Sequence, residues 1–430
     1  MRAQGNFDYV VPLISDILVA MQSREETCLR NGSQERGGVR NHAAHHSFHP
    51  AVLDPTQSRS VSITRGKTLG RRATTARSGV SYAAGVEQKC RFNGKRRIRG
   101  GVPEIGPEEV LIKLNVTGLC MSDVHFMMED WGMPPMSQFG TKCAGHEGAG
   151  VIVKVGERVK NLKVGQRAGL KPIQDVCHTC EYCKTGRETY CLSCVMTGLH
   201  IDGSYKQYIV SPERYTSLIP DGVPDEIAGP IMCSGSTAYT SIKESGLRPG
   251  QWAVFPGGGG GVGMQAVQLA IAMGLRAIVI DTGAERKETC LKYGADEFID
   301  FKEVENPVEK VLELTGGGAH AVFVTAVQSY PIAQGFLGHR AGAQVMCIGL
   351  PPAGKYNMEV NPSALAFRNQ SIKGTLVAGM ADVDETMDFA RRGKLRLEPT
   401  VVGLSKFNES VQKLKNGQVA GRIVVDFNKE

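Results

Sequence analysis

The sequence predicts an α/β protein in which a mainly-β domain precedes a doubly wound parallel sheet, with a basic extension ahead of both. Three observations carry this reading. From Gln251 to about residue 380 the pattern runs strand, glycine loop, helix and strand in repeats, as a parallel sheet with crossover helices requires. Ahead of it, alternating stretches such as Val110 to Val116 and Gly150 to Val155 read as strands, with glycine-containing turns between them. Between these two regions, CHTCEYCKTGRETYC packs Cys177, Cys180, Cys183 and Cys191 into one loop.

Length and composition set the frame. A chain of 430 residues is too long for one compact core and divides into two or three domains. With 41% hydrophobic and 22% charged residues it has the make-up of a globular protein. Eighteen apolar residues never run together, and the apolar stretch from Val10 to Ala20 carries Pro12 and Asp16, so neither a membrane span nor a secretory signal is expected. Twelve cysteines without an export signal point to a reducing compartment, the cytoplasm.

The net charge of +7 is unevenly placed: residues 1 to 100 hold 17 Lys and Arg against 7 Asp and Glu, so the rest of the chain is slightly acidic. This basic segment includes Arg71, Arg72, His45 and His46, lacks periodicity over Gln57 to Gly85, and reads as a disordered extension over residues 1–87. As a targeting segment it would send the protein to the mitochondrial matrix instead. As a basic arm it would attract RNA or a membrane and make the protein a binding module, but the basic residues lack interleaved aromatics, and no nucleic-acid or membrane partner is expected.

Order is expected from about Lys89, where CRF, Asn93-Gly94 and KRRIR read as a hairpin. The four cysteines, spaced by two, two and seven residues, suit one tetrahedral zinc with no open position, a structural site; two disulfides or unrelated thiols are the alternative. In the later region WAVFP leads into Gly257 to Gly261, Val262 and Gly263, then the apolar helix MQAVQLAIAM. Gly258, Gly260 and Gly263 fit G-x-G-x-x-G, whose bare backbone lets a pyrophosphate approach amides at a helix start. The strand AIVI ends at Asp281, placed to accept hydrogen bonds from ribose hydroxyls and to repel a 2′-phosphate, which favours NAD over NADP. Cys120, His146 and Cys233 are the makings of a second zinc site with a vacancy for water or an alcohol, whose bound oxygen a metal would acidify. Their spacing does not connect them, and each alone reads more readily as a packed core residue.

GLCMSDVHF, CAGHEGAG, the four-cysteine lobe, GPIMCSGSTAY, GGGGGVG with Asp281 and the closing GQVAGRIVVDF together resemble the zinc-containing alcohol dehydrogenases of the medium-chain dehydrogenase/reductase superfamily, and most of all the fungal, yeast-type enzymes. The resemblance runs from about Lys89 to Glu430. It implies a GroES-like catalytic domain split by an inserted Rossmann domain: 88–233 and 381–430 catalytic, 234–380 binding NAD. It implies two zincs per chain, a catalytic one on Cys120, His146 and Cys233 and a structural one on Cys177, Cys180, Cys183 and Cys191. Glu147 would approach the catalytic metal during ligand exchange, and Asp123 would orient the histidine ligand. Ser122 would take the alcohol proton and pass it through the nicotinamide ribose to His125 and solvent. Gly258, Gly260, Gly261, Val262, Gly263, Asp281, Arg286, Lys287 and Arg422 would hold the cofactor, and Trp131 would narrow the pocket to short primary alcohols.

The same resemblance implies a homotetramer oxidising alcohols to aldehydes and the reverse. An alternative on the same fold is a polyol or secondary-alcohol dehydrogenase of the butanediol or sorbitol type, whose opening RFNGKRRIR also resembles. Met121 stands where many members of the family carry a histidine or arginine, which removes one positive partner for the pyrophosphate. GGVPEIGPEE is shorter than the family's linker, so a distorted first edge of the catalytic domain is expected.

Overall fold

The computed structural model describes the backbone of residues 82–92 and 96–430, with side chains from residue 101 onward. Most of the extension, residues 1–81, and the turn residues 93–95 lie outside the described residues. Strand β1 (Tyr82–Phe92) pairs antiparallel with β2 (Arg96–Pro103). This hairpin is the expected one, but β1 begins seven residues before Lys89, because β2 runs on to Pro103 and offers partners to Tyr82 and Ala83 across a bulge before Glu87. The pair forms its own two-stranded sheet, off the main one.

The main sheet of the first region has seven strands. Strands β3 (Glu109–Gly118), β4 (Gly148–Val155), β5 (Arg167–Leu170) and β9 (Thr216–Leu218) follow one another antiparallel, and β8 (Tyr208–Pro212) pairs with β3. The remaining two come from the far end of the chain: β17 (Ile423–Asp426) pairs with β3, and β16 (Thr400–Gly403) with β17. Short strands β6 (Ile173–Asp175) and β7 (Val195–Met196) pair with each other and frame the four-cysteine loop.

Strands β10 (Trp252–Pro256), β11 (Arg276–Asp281), β12 (Glu297–Asp300), β13 (Ala321–Val324), β14 (Gln344–Cys347) and β15 (Ser371–Gly374) form a parallel sheet in the order 12-11-10-13-14-15. The middles of its inner strands are apolar, as in Ala277–Ile280 and Ala321–Val324, because both faces are covered there. Phe255, Val279 and Phe323 face a core shared with the helices Ser236–Ser245 and Gly263–Ala272, while Val254, Ile278 and Val322 face a second core with Val311 and Phe336. This is the doubly wound half, and its order reverses between β10 and β13, where such sheets bind their ligands. Among the described residues, no helix is long and apolar enough to cross a membrane.

Candidate functional site

The glycine loop runs from the end of β10 into the helix Gly263–Ala272. Gly257 has φ of +84°. A Cβ on Gly263 would stand 2.3 Å from the Gly257 carbonyl, and one on Gly258 would stand 2.7 Å from Val279, so the helix start packs on the strand only without side chains there. At Gly260 a Cβ would meet nothing nearer than 3.3 Å, so the space over the loop is open and suits a pyrophosphate.

Asp281, 4% exposed at the tip of β11, accepts hydrogen bonds from the Gly259 amide at 2.9 Å and from Arg286 Nη1 at 2.6 Å. Arg286 also donates to the carbonyls of Gly417 and Val419. Lys287, one residue on, is exposed. A Cβ on Gly261 would stand 2.5 Å from Arg422 Cδ, which puts Arg422 directly under the loop.

Below this loop lies the buried cluster. Cys120 precedes the helix Met121–Met128, His146 and Glu147 lead into β4, and Cys233 sits in the π-helical turn Ile231–Gly235, a distortion that re-aims its side chain. One ligand atom from each of these four residues lies within 4.8 Å of the other three, and all four residues are buried. His146 Nδ1 meets Asp123 Oδ1 at 2.7 Å, and Asp123 also accepts from the Gly145 amide and the Tyr205 hydroxyl. With Nδ1 donating to that carboxylate, His146 Nε2 carries the lone pair. It is buried with no hydrogen-bond partner among the described residues.

A buried imidazole nitrogen left unpaired beside two thiols costs free energy unless a cation takes its lone pair. The sulfur and nitrogen donors fit zinc. The contact with Cys233 holds Cys120 well below the ordinary thiol value against the effect of burial, and the same contact pushes Cys233 up. Burial lifts the Glu147 carboxyl to about 7, with Arg422 pulling the other way. Arg422, itself buried, donates through Nη2 to Glu147 Oε2.

Sequence reasoning connected Cys120, His146 and Cys233 only through resemblance, and it did not find Tyr205, which lies 82 residues beyond its partner Asp123. Ser122 and His125 are three apart on one face of the helix. His125 is buried, with Nδ1 at 2.7 Å from Asp130 Oδ2. Trp131 packs against His125 with ring centroids 4.9 Å apart and the planes tilted by 36°, and it meets Phe126 edge-on.

The four-cysteine lobe stands apart from this centre. Cys177, Cys180 and Cys183 are half-exposed and Cys191 is buried, with all four sulfurs within 4.8 Å of one another. Amides point at the sulfurs: Cys180 N donates to Cys177 Sγ at 3.3 Å, and Cys177 N to Cys191 Sγ at 3.5 Å. The Thr179 backbone and hydroxyl bring Cys177 down to about 5, whereas burial lifts Cys183 to about 12. This tetrathiol set also fits zinc, with no fifth group in it. Close by, Lys171 is 1% exposed, its Nζ 5.3 Å above the Tyr215 ring and without a hydrogen-bond partner among the described residues.

Comparison with known proteins agrees with this architecture. The alcohol dehydrogenase GroES-like domain matches residues 106–221, and the zinc-binding dehydrogenase domain matches residues 261–392. Alcohol dehydrogenase 1 of Neurospora crassa is 38% identical over 330 residues, covering 76% of this chain and 92% of that protein. An alcohol dehydrogenase of Schizosaccharomyces pombe is 37% identical over the same coverage. Among solved structures, the alcohol dehydrogenase of the archaeon Aeropyrum pernix superposes with a TM-score of 0.68 at 26% identity, covering 79% of this chain and 99% of that one. A cinnamyl alcohol dehydrogenase from Sorghum bicolor gives 0.69 at 26% identity over 79% and 97%.

Proposed function

The chain belongs to the zinc-containing alcohol dehydrogenases of the medium-chain dehydrogenase/reductase superfamily, and from that premise we propose that it interconverts short primary alcohols and aldehydes with NAD as the hydride carrier. The observation that carries the proposal is the unpartnered His146 Nε2, buried beside the thiols of Cys120 and Cys233 under a glycine loop shaped for a dinucleotide. A zinc ion held by Cys120, His146 and Cys233 would supply Lewis-acid polarisation of the alcohol oxygen, and a bound NAD would supply the hydride acceptor.

The chain's own residues do the rest. Asp123 fixes the ring of His146 and the tautomer that presents Nε2. Glu147 and Arg422 neutralise each other inside the protein, so neither stands as a bare buried charge. Ser122 and His125 form the proton path: the hydroxyl accepts the alcohol proton and passes its own on, and the imidazole delivers a proton to solvent. Asp281 selects NAD by accepting from ribose hydroxyls and repelling a 2′-phosphate, with Arg286 keeping its carboxylate in place. Gly258, Gly260, Gly261, Val262 and Gly263 line the phosphate path, and Arg422, packed under Gly261, is assigned to the same end of the cofactor site. Lys287, exposed beside that path, is assigned a looser role at the adenosine end.

We assign residues 88–233 and 381–430 to the catalytic half and 234–380 to the cofactor half, since β16 and β17 complete the seven-stranded sheet. The lobe cysteines would hold the second zinc, whose closed tetrathiol set would give it a structural role. A homotetramer is supported by the open edge at β15 and by Phe367, 89% exposed on the helix Pro362–Arg368 beside it. The compartment assigned is the cytoplasm.

A substrate panel followed by NADH absorbance tests the function. Ethanol and its short homologues are the expected substrates, with NAD preferred over NADP. Turnover of sorbitol or butanediol with none of ethanol would sink the primary-alcohol reading.

A further inference from the structure

We infer that Asp130 is a positioning residue for the proton path, holding His125 by its Nδ1 so that Nε2 is the nitrogen that takes the proton. The inference rests on the assignment of His125 to that path.

The local chain is built to bring these two side chains together. The helix Met121–Met128 ends in Glu129 at φ of 59°, in the left-handed region. That reversal turns the next residue back on the helix, and the Asp130 amide donates to the His125 carbonyl at 3.1 Å. The Asp130 carboxylate thereby reaches His125 Nδ1 at 2.7 Å. A non-glycine residue held with positive φ is strained and persists where its surroundings demand it. Here the surroundings include Ala353 from the cofactor half, whose amide donates to the Asp130 carbonyl at 2.9 Å. Trp131 closes the other side of the ring at 4.9 Å.

Three contacts therefore fix one imidazole: the carboxylate at Nδ1, the tilted indole packed against it and the helix that carries it. A neutral histidine has one N–H, and a carboxylate at Nδ1 makes that the N–H, which leaves the lone pair on Nε2. When Nε2 takes the proton from the path, the ring still has the Asp130 carboxylate at Nδ1 at hydrogen-bond distance, and the proton then leaves to solvent. Phe126, Glu129, Trp131, Met133, Pro134 and Leu199 line the recess beside the ring, and of these only Glu129 is charged. A second helix turn linking His125 to Asp130 would not need the carboxylate, so charge and backbone geometry can be separated by substitution.

The test compares Asp130→Asn, Asp130→Glu and His125→Gln with the zinc-loaded parent enzyme, reading kcat/KM against pH, zinc content and NADH binding. His125→Gln is expected to slow alcohol oxidation by about 10²-fold, at the lower end of general acid-base effects. Asp130→Asn is expected to lose about tenfold and to move the acid limb of the profile to lower pH, because the imidazolium has lost its counter-charge. Zinc content and NADH affinity stay at parent values. Asp130→Glu restores the charge and returns the limb toward its parent position. Parent-like rate and profile in Asp130→Asn, with His125→Gln slowed, would overturn the inference while leaving the proton path intact. A parent-like His125→Gln would instead remove the path itself. A fall in zinc or NADH binding in Asp130→Asn would make Asp130 merely structural and equally overturn the inference.

Discussion

The two sulfur clusters of this protein are made of the same side chain and are built in opposite ways. The lobe gathers four cysteines from a single loop, leaves three of them half-exposed, and points backbone amides at the sulfurs. The buried centre draws Cys120, His146, Glu147 and Cys233 from three separate elements, excludes solvent, and surrounds them with Asp123, Tyr205 and Arg422. A site made from one loop restrains only that loop, so it can stabilise but has no room for a substrate. A site made from several elements depends on the whole fold and can leave a coordination position open. Location along the chain thus separates support from chemistry.

Exchanging one cysteine in each cluster tests this most directly. Cys233→Ser is expected to lower kcat by about 10³-fold or more, since Lewis-acid stabilisation is worth several kcal/mol and each 1.36 kcal/mol is a factor of ten. Its melting temperature should move little. Cys183→Ala should do the reverse: one zinc equivalent lost and melting lowered by several degrees, at about 2–4 °C per kcal/mol, with the rate of the folded fraction kept. Full zinc content and unchanged melting in Cys183→Ala would erase the distinction.

The buried cations sharpen the same contrast. Arg422 beside the centre is paired with Glu147, so Arg422→Met leaves a buried carboxylate alone and should cost about 3–5 kcal/mol in urea unfolding at pH 8. The loss shrinks at lower pH, where Glu147 takes a proton. A stable Arg422→Met protein at pH 8 would show the pair to be dispensable.

Lys171 beside the lobe has no such partner among the described residues, and the smallest effect, of opposite sign, is expected there. Burial lowers its ammonium to about 8 from an unfolded value of 10.5. Between those values the unfolded chain binds a proton that the folded chain does not, so this group adds stability as pH rises through that window and costs at most about 3 kcal/mol below it. Lys171→Met should therefore melt higher than the parent at pH 7, with the gain fading toward pH 10. A loss of stability at pH 7 would mean that Glu188, Asp382 and Asp384 need the charge.

What was legible in the sequence follows the same division. The lobe could be read from spacing, because all its ligands lie within fifteen residues, and the glycine loop with Asp281 could be read because strand, turn and helix are consecutive. The hairpin was found through Asn93-Gly94, although its first strand reaches back to Tyr82, where AAGV gives no alternation to read. The centre was legible only by resemblance, since Cys120 and Cys233 come from distant elements. Asp130 was hidden for a different reason: nothing in MEDWG announces that Glu129 adopts a positive φ and turns the carboxylate back on His125. Lys171 looks like any strand-end lysine until its burial is known.

The pairing of Arg422 with Glu147 spans 275 residues, and this sets a schedule for synthesis. At roughly 5–20 residues per second a ribosome needs roughly 15–55 s to supply the arginine after the glutamate has emerged. During that interval β3 also lacks β17, so the first sheet has an unfilled slot and Glu147 must stay hydrated or protonated. The parallel sheet, whose strands are all complete by Gly374, can form in the meantime. A ribosome stalled before Arg422 would therefore hold a chain whose six parallel strands are all synthesised while Glu147 still lacks its partner.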